Sequence, residues 1–475
     1  MRQKSPTSGG VPPAHDPYVS LRERNFRFFL CGNALSTVGM QMLSLAVSWE
    51  LYNTTHSKTV LGLVSIIQVV PFLFLAIPTG HLADLFNRKF IILIDQLLLT
   101  FSAATLGFAS LGRGSIPDWP VVHWVNSLLS GLAGYFHETG CDFTARHVPF
   151  MLGLLLVNAV IRTVNQPAKQ AFLPQLVPAK AFPNAVMWNA AMYQNSVIAG
   201  MMLGGLILAW LQSHASTRAS SYAAVYFITA ACQLAQWIFF LPIQSLPAAP
   251  VREPITLRSL NAGIRFVWHT DVILAAITLD LFGVLFGGAT ALLPVFAKDI
   301  LGCGVLGLGF LRAAPSVGAA IVPVLLAYLP PIKNSGRALL ITVAGFGFAT
   351  IGFGLSKSFY LSLACLFFVG FCDIISAIIR NTLVQMLTPD DLRGRVTAVK
   401  SVFSTSSNQL GEAESCFIAL LFGPVVSVVS GGLGTILVVA AVAAAWPRLR
   451  KVGALHDCQA PAEPQSVQEP IRNVA

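Results

Sequence analysis

The chain has 475 residues, of which 55% are apolar and only 11% charged, with 32 phenylalanines and a formal net charge of +10. Soluble domains carry about 25% charged residues, so a soluble globular protein is excluded and lipid must surround most of the chain. The basic residues stand in short clusters between apolar runs, which is the distribution of orientation signals and not of a nucleic-acid footprint.

Residues 1–20 are rich in Pro, Gly and Ser and read as a disordered tail. They contain no apolar stretch of the kind a cleavable signal peptide needs, so the first span is expected to direct insertion. Apolar segments follow at about 27–51, 59–83, 90–111, 148–170, 185–211, 221–243, 272–297, 304–329, 336–356, 359–383, 396–423 and 424–446. Each is long enough for a helix of roughly 20 residues to cross the bilayer. Gly423-Pro424 is the expected turn between the last two. The sequence therefore predicts an all-α membrane protein of about twelve transmembrane helices.

With the N-terminus inside, the inner loops receive roughly 22 Lys and Arg and the outer loops about 6. That bias predicts cytoplasmic termini and a multi-pass protein of the inner membrane. It also decides the reading of 119–136 (WPVVHWVNSLLSGLAGYF). If this stretch spanned, the clusters at Arg252–Arg265, Arg393–Lys400 and Arg448–Lys451 would all face outward. It is expected instead to be a surface or re-entrant element in a long outer loop, about 112–147.

The expected organisation is a six-helix bundle at 21–243, a cytoplasmic linker at 244–271 with Pro247, Pro250 and Pro254, a second bundle at 272–446 and a tail at 447–475. A weak repeat supports two halves. Lys169-Gln170 precedes AFLPQLVP, ending at Pro178, and Arg380-Asn381 precedes TLVQMLTP, ending at Pro389. Parallel repeats of this kind belong to transporters with a midplane binding site.

The most specific local signal is Gly80-His81-Leu82-Ala83-Asp84-Leu85-Phe86-Asn87-Arg88-Lys89. It resembles the cytoplasmic signature loop of the major facilitator superfamily, G-x-L-A-D-r-x-g-R-[RK]. Leu85 departs from a usual basic residue, and Asn87 from a usual Gly or Asp, although Asn tolerates the left-handed conformation. The resemblance extends to DPYVSLRERNFRFFLCGN, NQPAKQAFLPQLVP, LLPVFAKDILG, GLGFLRAAPSVGA, LVQMLTPDDLRGRV, SSNQLGEAES, FGPVVSVVSGGLGTILVV and WPRLRK. Together these cover 16–110 and 149–451, and they resemble the branch that includes the enterobactin exporters and related bacterial efflux proteins. The outer loop at 112–147 has no counterpart there. The resemblance implies two pseudo-symmetric six-helix bundles, alternating access, and a gating loop made by Gly80, Asp84, Arg88 and Lys89 where the halves meet.

Ser196, Gly200, Met201, Gly204 and Gly205 resemble the fifth-helix motif of drug/proton antiporters, with Met201 in place of a Pro. Close packing of small residues reads the same spacing equally well. Where Cys416 stands, the family pattern has Gly, which puts close packing at that point in doubt.

Charges inside apolar runs are expensive and tend to face a cavity or a partner. The substrate or proton-coupling candidates are Glu50, Asp95, Arg162, Asp280, Arg312, Asp373, Arg380, Glu412 and Glu414. Glu50, Asp95, Arg162 and Arg380 lie near predicted segment ends, where snorkelling is open to them. Asp280 is expected to reach Arg312, and Asp373 lies seven residues before Arg380 on one helical face. Glu412 and Glu414 point to different sides of their helix. Asp280, Asp373 and Glu412 are the expected proton-coupling groups.

The remaining constellations are weak. His137, Glu138, Cys141, Asp142 and His147 match no metal-ligand spacing. The cysteines form no CxxC pair, and Cys31, Cys232, Cys365, Cys372 and Cys416 read as small hydrophobes. GxxxxGK[ST] is absent from the sequence, so no resident cofactor is expected and the driving force is expected to be a proton gradient. The reading is a monomeric secondary active exporter, not an enzyme, of a siderophore, drug or other small amphiphile. A lysolipid flippase of the same fold and a transport-inactive scaffold or sensor stand as alternatives.

Overall fold

The computed structural model describes residues 16–112, 120–136, 138, 141–143, 145–215, 217–244, 264–328, 334–450 and 453, without the side chains of 76, 77, 80–85, 327, 390, 391, 393 and 398. Most of the expected linker and chain tails and the side chain of Asp84 lie outside the described residues.

The long helices are α1 (Arg24–Thr55), α2 (Lys58–Leu85), α3 (Arg88–Leu111), α4 (Pro120–Tyr135), α5 (His147–Phe172), α6 (Phe182–His214) and α7 (Arg218–Phe240). They continue as α8 (Asp271–Phe286), α9 (Gly304–Tyr328), α10 (Ser335–Leu355), α11 (Phe359–Leu387), α12 (Asp390–Phe422) and α13 (Pro424–Ala445). Eleven described spans are long and apolar enough to cross a membrane. α12 is not among them although it has 33 residues. Its first half is polar, and past its midpoint Asn408 and Gln409 line the central cavity. α4, only 16 residues long, is also not among them and packs on α2 and α5.

Helix boundaries follow from backbone chemistry. α1 stops at His56, which adopts the left-handed conformation at φ 52°. Asn87 caps α3 by accepting from the Lys89 amide at 3.0 Å. Its backbone is extended, not left-handed as the signature loop suggested, because an N-cap requires that conformation. Gly423 turns at φ 90° directly before Pro424, which separates α12 from α13. α8 breaks at Gly287 and the chain then passes through a π-helical turn at Phe296–Ile300.

α1, α2, α3, α5, α6 and α7 pack together, as do α8 to α13, and two seams join the groups: α6 on α9 and α2 on α12. Both seams rely on missing side chains. A Cβ on Gly205 would lie 2.8 Å from Cα of Gly309, and one on Gly62 would lie 3.0 Å from Cβ of Cys416. Close packing is thus kept at Cys416, because the opposing helix supplies the glycine.

The apolar core differs between the two ends. We call the end where α1 begins the near end and the end where it stops the far end. At the far end one cluster runs through both helix groups, from Leu45 and Leu51 to Leu292, Phe296, Leu311 and Cys416. At the near end the clusters are separate. One holds Phe26, Phe29, Phe172 and Phe240, and two others lie wholly among α8 to α13 and their flanks.

Candidate substrate pathway

Where the near-end cores part, three cavities adjoin. The largest, about 460 Å³, is lined chiefly by α1, α5 and α6 and shares Met40, Gln41 and Arg162 with the second. The second, about 260 Å³, is lined from both helix groups and holds Arg162, Arg312 and Glu412. The third, about 160 Å³, shares Thr290 and Glu412 with the second and reaches Asp373. Residues far apart in sequence therefore converge on one space at mid-depth.

Arg162 lies ten residues before the end of α5, not near a segment end, and is exposed into this space. Across from it, Arg312 donates to Ser44 at 3.2 Å from α9 to α1. Glu412 accepts from Ser65 at 3.0 Å, joining α12 to α2, and lies within electrostatic reach of Arg312. Glu414 does not line these cavities, as its angular offset from Glu412 requires.

Asp280 pairs with Arg380 at 2.7 Å and not with Arg312, and both partners are almost fully buried. Helix packing decides this, since α8 meets α11 in the second group while Arg312 turns toward α1. Asp373 approaches Arg380 at 4.0 Å, so Arg380 stands between two carboxylates. Asp95 is buried in α3 and interacts with Lys169. Glu50 is remote from the cavity. It accepts from Ser110 at 2.9 Å and from Tyr226 at 2.6 Å, with His147 at 3.9 Å, inside the first helix group.

Gly200, Gly204 and Gly205 act as packing surfaces. A Cβ at Gly200 would lie 2.7 Å from Gln41 and Val38, and one at Gly204 would lie 3.1 Å from Met42. Gln194 extends the α6–α9 seam by donating to the Ser316 carbonyl at 2.9 Å. Of the signature loop, Arg88 donates to the Ala171 carbonyl at 3.0 Å, and Lys89 donates to those of Leu241 and Ile243 at 2.8 and 2.6 Å. Both cap carbonyls at the ends of α5 and α7, where cations are favoured. These contacts lie within the first helix group and do not bridge the halves.

Sequence reasoning missed the far-end contacts. Tyr52 donates to Asp299, the ammonium of Lys298 lies 5.4 Å from the Tyr52 ring centroid, and Lys298 approaches His56 at 3.4 Å. The π-helical turn aims Lys298 and Asp299 at α1, a geometry no linear pattern announces. The outer loop straps this region. Phe136 meets Phe417 at 5.7 Å between centroids, and Glu138 accepts from Ser57, the Lys58 amide and Thr59 at 2.6–2.9 Å at the start of α2. Burial pushes the Cys141 thiol up to about 11, with Glu138 adding to the shift.

Residues 29–411 match the family model described as Major Facilitator Superfamily. The chain belongs to that superfamily. Curated relatives include an enterobactin exporter, EntS, of Shigella boydii serotype 4, 26% identical over 87% of this chain and 89% of that protein. The EntS of Escherichia coli O139:H28 matches at the same identity and coverage. Solved structures with the same fold include a bacterial homologue of the human lysosomal transporter Spinster, with a TM-score of 0.64 at 15% identity, covering 94% of this chain and 100% of that one. The xylose transporter XylE from E. coli matches with a TM-score of 0.61 at 12% identity, over 88% and 94% of the two chains. The chain is thus a multi-pass membrane transporter of the major facilitator fold and not an enzyme.

Proposed function

We propose that this transporter is a monomeric, proton-coupled exporter in the inner membrane that moves a small amphiphilic organic molecule, such as a siderophore or drug, by alternating access. The observation that carries the reading is the central cavity lined from both helix groups, with a shared core beyond it at the far end and divided cores at the near end. The charge asymmetry assigns the near end to the cytoplasm. The similarity to enterobactin exporters supports the outward direction and the substrate class. Arg88 and Lys89 tie the proposed gating loop to the ends of α5 and α7, so that it would move with the first helix group.

Glu412 is the leading coupling group. It lies in the cavity between Ser65 of one half and the charge of Arg312 in the other, so a change of state alters both its hydration and its partner. Asp280 and Asp373, sharing Arg380, form a second coupling candidate. The test is gradient-driven flux in proteoliposomes with a catecholate siderophore, a cationic drug and a lysolipid. The expected outcome is siderophore or drug flux that Glu412→Gln uncouples from the gradient while exchange persists. Flux of lysolipid alone would replace the reading with a flippase. Retained gradient-driven flux in Asp280→Asn, Asp373→Asn and Glu412→Gln would remove the coupling scheme.

A further inference from the structure

The cavity of the first helix group has a charge pattern that exceeds what a midplane site for a neutral molecule requires. Its lining includes two cations, Arg162 and Lys169, and no carboxylate. They sit seven residues apart on α5, which places them on one helical face about 10 Å apart along the axis. Gln166 and Gln170 lie between and beside them on the same wall.

The two cations differ in how they are matched. Lys169 has the buried carboxylate of Asp95 within electrostatic reach. Arg162 makes no hydrogen bond or ion pair with any described residue, and the groups within its electrostatic reach are the neutral Tyr193 phenol and a second cation, Lys169. A guanidinium carries five donors and stays charged at any physiological pH. Leaving it unmatched at mid-depth in a membrane protein is unfavourable unless the space it faces supplies an anion.

A second cation faces the same space from the other helix group. Arg312 lines the second cavity with Arg162, and its buried Nε has no partner among the described residues. The single carboxylate of that cavity, Glu412, already interacts with Arg312. Among the described residues the linings of the first two cavities thus carry three cations and one carboxylate, with Asp95 interacting with Lys169 from outside the lining. The second cavity also presents an apolar strip, Leu43, Val47, Leu61, Val64 and Met201, beside polar side chains such as Ser48, Gln68 and Asn158.

We infer that the transported molecule is an organic anion, whose carboxylate, sulfonate or phenolate oxygens are held by the Arg162 guanidinium while its apolar body lies against the second cavity. Lys169 is the outer step of the same cationic track and draws the anion from the near end. Arg312 completes the site from the opposite half, so that the bound anion touches both helix groups. The inference rests on reading the central cavity as the transport site, but its test reads binding and not flux.

The test uses the full chain in phosphatidylcholine nanodiscs and three probes with one aromatic body: 1-pyrenebutyrate, its primary amide and 1-pyrenebutylamine. Saturation is read by fluorescence against empty nanodiscs. The expected result is that the carboxylate binds about 10-fold or more tightly than the amide, the scale of one charge-assisted hydrogen-bonded contact. Arg162→Gln should remove that preference and leave amide binding within about twofold, whereas Arg162→Lys should keep part of it. Lys169→Gln should weaken carboxylate binding less, with a smaller salt dependence. A wild-type protein that binds the carboxylate no better than the amide overturns the proposal, and so does an undiminished preference in Arg162→Gln. Should Arg162→Gln fail to fold, the wild-type preference and the Arg162→Lys response still decide it. Loss of flux with the carboxylate preference intact would strike the exporter reading alone, and flux of cationic substrates unaffected by Arg162→Gln would strike this inference alone.

Discussion

The far and near ends are made from the same helices but are held together differently. At the far end, one apolar cluster passes through both helix groups, and polar contacts between Tyr52, His56, Lys298 and Asp299 lie on top of it. At the near end each group keeps its own core, with polar contacts made inside the group, such as Lys89 on Leu241 and Ile243. Contacts inside a group can be strong without obstructing the proposed cycle, because they would persist as the groups rock. In the proposed alternating-access cycle, contacts between groups that close one end must be breakable. Buried ion pairs accordingly occur inside a group, as at Asp280–Arg380, while the far-end seal uses small polar contacts and apolar area.

The largest effect is expected where an intragroup contact is broken. Arg380→Ala leaves the buried Asp280 carboxylate without its partner and should destabilise the fold by about 3–5 kcal/mol. Thermal unfolding in detergent should show the loss, and Arg380→Met with Asp280→Asn should restore most of it. Equal destabilisation in the double variant would mean that Asp280 and Arg380 are not a unit.

The far-end seal is expected to respond by redistribution and not by unfolding. Tyr52→Phe with Asp299→Asn removes the polar contact across the seam, which should shift the balance between states by about 1–2 kcal/mol. Spin labels at Arg218 and Lys357, both exposed at the far end, should report a larger population of long distances. An unchanged distance distribution would leave the apolar cluster as the whole seal.

Near-end capping should be worth less. Lys89→Ala removes donors to two carbonyls at a partly exposed helix end, and about 1 kcal/mol of local stability should go with them. Hydrogen exchange should accelerate at the end of α7 while the far end stays protected. Faster exchange at both ends would show that the ends are coupled more tightly than the divided cores imply.

The smallest effect concerns the strap. Glu138→Gln keeps one acceptor oxygen for the Lys58 amide, puts an amide NH2 beside the Ser57 and Thr59 hydroxyls, which can rotate to accept, and removes the charge, for a loss of roughly 0.5 kcal/mol. Exchange at the Lys58 amide should rise a few-fold with little change in flux. A large flux change would give the outer loop a direct part in gating.

Much of this molecule is set by composition and periodicity alone. Lipid excludes unpaired backbone, so each long apolar run must be a helix, and the runs ending near Leu111, Phe240 and Leu355 could be placed from their side chains. Gly423-Pro424 was legible as a turn because its backbone chemistry is local. The glycines at 200, 204 and 205 signalled close packing for the same reason, since a missing Cβ is visible in a sequence. Partner choice was not legible. Asp280 takes Arg380 instead of Arg312, and Arg162, Arg312 and Glu412 meet in one cavity, because the crossing of α2, α5, α9 and α12 sets distances that no sequence separation encodes. The partners of Lys169 and Lys298 were equally hidden, since the packing of α3 on α5 brings Asp95 to Lys169 and a π-helical turn swings Lys298 toward Tyr52. The sequence by itself determined which segments cross the bilayer and which charges need explaining, since transfer free energy belongs to each residue separately. Only the tertiary structure decided which charges face one another and which end is closed, since those energies depend on pairs and on packing across the whole bundle.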